Sequence, residues 1–241
     1  MQRMSMGIWR PLRQVTGWAW SEHGSAWVRL QGRSRSSAVV LWGRFVPPEP
    51  IERERLPRDW PRPPRGDPDR PARAVWPRPR LAAVWPDQRC AQGRLDPHRP
   101  GRGRPAWAEA QWEAAQALGL ADDAVQLDVW PAQDPQAGQA WQWVAAGRAD
   151  LQAFVQDLRG AGWRVLGVVP ETWATRRAWA GLQGGLRTLQ SLAVEDWRWD
   201  DAVPLPEPEG LEDGLTAHKA RIAPRTWLML SAWGAAMGNW S

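Results

Sequence analysis

Fifteen of the chain's 23 prolines fall within residues 47–105, and this clustering constrains the fold more than any other feature of the sequence. Proline fixes its own φ and lacks a backbone N–H, so a dense run of it forbids long helices and central strands. One run there, Arg80-Leu81-Ala82-Ala83-Val84-Trp85, reads as a strand. The zone also holds 14 arginines against eight Asp plus Glu, a net +6, whereas the whole 241-residue chain carries +5. The rest is therefore close to neutral. The sequence divides into N-terminal antiparallel strands (1–46), a Pro/Arg-rich insertion or linker with one strand near 80–85 (47–105), and an α/β remainder with a closing helix (106–241).

The Arg-rich zone invites a reading as an arm that wraps nucleic acid, but no recognisable nucleic-acid motif accompanies the charge. Composition offers a simpler account. There is no Tyr, one Lys (Lys219) and one Asn (Asn239), against 30 Arg and 21 Trp. Residues with AT-rich codons are nearly absent, so a GC-rich gene explains Arg in place of Lys. With Tyr and Phe scarce, Trp serves as the general-purpose aromatic of core and strand positions. A single cysteine, Cys90, excludes a disulfide framework and a cysteine-based zinc site, and points to a reducing compartment. No run reaches the roughly 18 apolar residues of a membrane span, and Met1–Arg13 has no signal-peptide core. The expected location is cytoplasmic.

Two strand-like runs, Gly17-Trp18-Ala19-Trp20 and Ala26-Trp27-Val28-Arg29-Leu30, flank a turn at Glu22-His23-Gly24-Ser25. Ser37–Trp42 follows as a third strand. Beyond Pro105, Trp107–Leu118 reads as a helix stopped by Gly119, and Val125–Trp130 and Ala140–Ala146 as strands. Asp150 reads as the cap of a helix whose Leu151, Phe154, Val155 and Leu158 form one apolar stripe, with Gly160 and Gly162 ending it. Arg164–Pro170 reads as a buried strand and Glu171–Leu182 as a helix. Alternating strands and helices joined by short connections predict an α/β layer architecture. Val203–Gly210 reads as an extended linker. Pro224–Trp240 is a final apolar helix, and its Gly234 and Gly238 would let its back lie against a sheet.

Motifs for catalysis are missing. His23, His98 and His218 show no metal-ligand spacing, and Cys90 has no nearby histidine. No G-x-S-x-G elbow and no Walker-type loop occurs, and Lys219 lies far from any glycine loop. Asp122-Asp123 and Asp200-Asp201 read as solvated turns and loops. Glu171 opens a helix, where its charge favours the macrodipole. No residue emerges as catalytic, cofactor-binding or metal-ligating, and no cofactor is expected.

The order of elements resembles the type IV pilus assembly protein PilM family, which is actin-like, and its shorter HofM relatives. The clearest stretch is Ala140–Trp179, AWQWVAAGRADLQAFVQDLRGAGWRVLGVVPETWATRRAW. Trp112–Pro131 resembles the family's helix, acidic turn and strand, Trp227–Trp240 its closing helix, and Gly17–Leu30 the first two strands of an actin-like lobe. The resemblance covers about half the chain. It implies a single truncated actin-like (ribonuclease H-like) lobe with a mixed sheet and flanking helices, of α/β class.

In active members of that family the first hairpin carries a G-x-D-x-G phosphate turn. Aligning Gly17–Ser21 on it puts Ala19 at the aspartate and Ser21 at the second glycine, with Trp18 and Trp20 flanking the site. A methyl group cannot hold a metal-bound water. Only about 45 residues, Gly181–Arg225, stand where a second lobe would be, with Gly184-Gly185 as their one glycine pair. The resemblance thus implies a pseudo-ATPase without bound nucleotide. What it leaves is a scaffold: a cytoplasmic adaptor, peripheral to the inner membrane, that holds the tail of a PilN-like bitopic membrane protein as an extended peptide. Its contact residues are unassigned. An active actin-like ATP-binding protein and a nucleic-acid binder using the Arg/Pro segment are the alternatives.

Overall fold

The computed structural model describes residues 13–32, 39–46, 78–95, 106–131, 141–183 and 224–238. His98, His218, Lys219, Asp200-Asp201, Gly184-Gly185 and the linker at 203–210 lie outside them. The described residues fall into two compact units.

The first unit is built on a five-stranded mixed sheet of order β3-β2-β1-β4-β8. Strands β1 (Arg13–Ser21), β2 (Gly24–Gly32) and β3 (Val39–Val46) form an antiparallel meander, and β4 (Arg80–Trp85) joins β1 in parallel, with Thr16 opposite Leu81. The outer strand beyond β4 is β8 (Arg164–Pro170). Of the predicted third strand, Ser37 and Ala38 lie outside the described residues, and the strand runs on past Trp42 to Val46 because Gly43–Val46 pair with Ser25–Val28. The register slips by one residue between Arg29, opposite Trp42, and Leu30, opposite Val40, so Leu41 is the extra residue of a bulge. With helices packed on a mixed sheet, this is the α/β class that the sequence predicts.

Among the described residues two helices complete this unit: α3 (Glu171–Gln183) and α4 (Pro224–Gly238). Helix α4 is apolar nearly all round, and such a helix is stable only when surrounded. Its residues from Trp227 to Ala236 are buried apart from Trp233, against Val15, Ala19, Ala26 and Val28 of the sheet and Ala174 of α3. Its glycine pair does not work as the sequence suggests. A Cβ on Gly234 would lie 1.6 Å from the Ala174 carbonyl oxygen of α3, and one on Gly238 would strike the Arg177 guanidinium. Both glycines therefore face a helix. Close approach to the sheet comes instead from Gly17 in β1, where a Cβ would lie 1.7 Å from the Ala232 carbonyl oxygen. No helix among the described residues is long and apolar enough to cross a membrane.

The second unit centres on an antiparallel sheet of order β5-β7-β6, formed by Cys90–Leu95, Val125–Pro131 (β6) and Trp141–Gly147 (β7). Helix α1 (Ala106–Leu118) covers one face, packing Ala110, Ala114 and Ala115 onto Leu95, Val125, Trp143 and Ala145. Gln92, Arg94, Gln126 and Asp128 stand exposed on the other, the inside–outside alternation of a half-covered sheet. Strand β5 (Cys90–Leu95) lies in the zone for which the sequence predicts one strand, near 80–85; its described residues contain two. Little in Cys-Ala-Gln-Gly-Arg-Leu favours a strand by propensity. All six residues nonetheless pair with β7, and Gly93 leaves room for the Trp143 indole, which a Cβ would meet at 2.5 Å. The two units alternate along the chain. The first takes β1 to β3, β4 up to Val84, and the described residues from Leu166 onward; the second takes those from Trp85 to Val165.

Helix α2 (Arg148–Gly160) buries Phe154 and Leu158, with Phe154 edge-on to Trp85 at 5.1 Å. Its N-cap is Gly147 rather than Asp150, which sits inside the first turn, where its charge favours the macrodipole. Both α1 and α2 stop by the same device. Gly119 (φ 64°) donates to the Gln116 carbonyl and Leu120 to that of Ala115; Gly162 (φ 95°) and Trp163 repeat this onto Arg159 and Leu158. Leu158 and Trp163 are both fully buried, the apolar contact that accompanies such a stop. Gly162→Ala is expected to cost about 1–2 kcal/mol in urea unfolding, because nothing crowds the site and only the left-handed backbone is penalised.

Candidate functional site

The hairpin that the sequence aligns with a phosphate turn is the place to look for function. Strands β1 and β2 pair without interruption from Arg13↔Gly32 to Ser21↔Gly24, so the chain reverses at Glu22-His23. Neither loop residue takes positive φ; that conformation falls on Gly24 at 131°. Gly24 is also crowded, since a Cβ there would lie 2.4 Å from the Val46 carbonyl oxygen. The His23 N–H donates to Ser21 Oγ at 3.0 Å, and His23 Nε2 stands 3.5 Å from Glu22 Oε1. Both side chains are largely exposed, so this contact contributes little to stability.

Gly17–Ser21 is therefore strand throughout, not turn. Ala19 lies opposite Ala26, is fully buried, and points its methyl into the core under α4. Trp18 faces the other side of the sheet, where it stacks on Trp27 at 5.4 Å with the rings 18° apart. Trp20, two residues on, shares that face. The expected flanking bulk is real, but alternation directs it away from the face that carries Ala19.

These residues do not fit a magnesium nucleotide. The aligned position offers no side-chain oxygen, and α4 occupies the face onto which it opens. Among the described residues no group of three or more His, Cys, Asp or Glu is arranged to hold a metal ion.

Of the acidic residues raised by the sequence, Asp122, Asp123 and Glu171 are among the described residues. Asp122 and Asp123 are exposed in a single 3-10 turn, Asp122–Ala124, and the Asp122 carbonyl accepts a hydrogen bond from Gln111 Nε2. Glu171 is buried at the first residue of α3, and its carboxylate accepts the Trp227 indole N–H of α4. One turn along, Thr175 Oγ1 bonds the Glu171 carbonyl at 2.9 Å, Ser231 Oγ bonds the Trp227 carbonyl at 2.9 Å, and the two hydroxyls meet at 2.8 Å. Each hydroxyl has a single proton, so two protons serve three contacts and must be shared or alternate among them. This chain of polar groups stitches α3 to α4, and sequence reasoning missed it because Thr175 and Ser231 are 56 residues apart. A double-mutant cycle with Thr175→Val and Ser231→Ala is expected to show a coupling of about 1 kcal/mol in unfolding free energy. Cys90, the chain's one cysteine, is half-buried at the start of β5, opposite Ala146.

No protein-family model matches the sequence, and no curated protein matches it. Solved structures do. One is the cytoplasmic domain of EpsL, an inner-membrane component of the type II secretion system of Vibrio cholerae, at 13% identity and a TM-score of 0.44 over 67% of this chain. Another is a PilM–PilN type IV pilus biogenesis complex, at 16% identity and a TM-score of 0.47 over 70% of this chain. This chain spans 59% and 51% of the lengths of those two structures.

Proposed function

We propose that this protein is a non-catalytic adaptor of type IV pilus or DNA-uptake machinery. In this reading an actin-like core at the cytoplasmic face of the inner membrane holds the tail of a PilN-like bitopic protein. The observation that carries the non-catalytic part is the burial of Ala19 beneath α4, where a nucleotide-handling relative would present a carboxylate to magnesium. The adaptor part is supported by Ala140–Trp179, the stretch on which the family resemblance is clearest. It folds through β7, α2, β8 and α3 in the order the resemblance implies. An extended tail would be held by main-chain bonds and a few side-chain pockets.

The test combines two measurements on the full chain. Immobilised synthetic peptide, matching the cytoplasmic tail of the bitopic protein encoded beside this gene, is expected to retain the protein, while a scrambled peptide is not. Failure of that retention overturns the adaptor reading. Magnesium ATP at millimolar concentration is expected to leave the melting temperature unchanged. A nucleotide bound at 100 times its Kd would add about 2.7 kcal/mol, a rise of several degrees that would restore the ATPase reading.

A further inference from the structure

We draw no further inference here: the strongest candidate, the exposed tryptophans Trp107 and Trp112 on α1 and Trp141 on β7, is an unpartnered apolar surface, and nothing in the structure shows what covers it.

Discussion

Ala19→Asp, which restores the carboxylate of an active phosphate turn, is expected to destabilise the protein strongly rather than revive it. The methyl group of Ala19 is fully buried among Val15, Ala26, Val28 and the apolar face of α4. A charged oxygen placed there would lose its hydration and find no cation among those side chains. An uncompensated buried charge costs about 3–5 kcal/mol, a large part of the stability of a domain this size. At roughly 2–4 °C per kcal/mol, the melting temperature should fall by about 10 °C or more, and magnesium ATP should not restore it. Ala19→Val separates charge from bulk: overpacking should cost about 1–3 kcal/mol, less than the aspartate. If Ala19→Asp folds normally and gains a nucleotide-dependent thermal shift, the non-catalytic reading fails.

Adding a single methyl group at either glycine that seats α4 should be comparably severe. In Gly17→Ala the new Cβ would overlap the Ala232 carbonyl oxygen, and in Gly234→Ala that of Ala174. Both obstacles are main chain, so neither can swing aside like a side chain. Relief requires moving α4 away from β1 in one case and from α3 in the other, which opens gaps in a close-packed core. Each substitution is expected to cost about 3 kcal/mol or more, measured by urea unfolding. Gly160→Ala is the control. That glycine ends α2 with nothing within 4 Å of a new Cβ, and Ala there should be neutral or stabilising by up to about 1 kcal/mol. Equal losses at all three positions would show that α4 is not seated as described.

The pattern of the sequence was enough for most of the elements. Strict alternation placed β6, the Leu151–Leu158 stripe placed α2, and Gly119 and Gly162 marked two helix ends. These signals are local: each depends on residues within one or two turns of one another. Where the sequence misled, a distant partner had decided the matter. Strand β5 exists because β7 pairs with it, and β3 continues to Val46 because β2 carries it. The role of Gly234 depends on α3, which ends 41 residues before α4 begins.

The candidate site divides along the same line. That position 19 is alanine, and that no histidine, cysteine or lysine is spaced for metal or phosphate chemistry, is written in the residues themselves. That Ala19 lies in a strand rather than a turn, with Trp18 on the opposite face and α4 across it, is not. Side-chain chemistry is fixed at each position by the chain's covalent identity. Which face a residue occupies, and what seals that face, depends on elements far apart in sequence that meet only when the core closes.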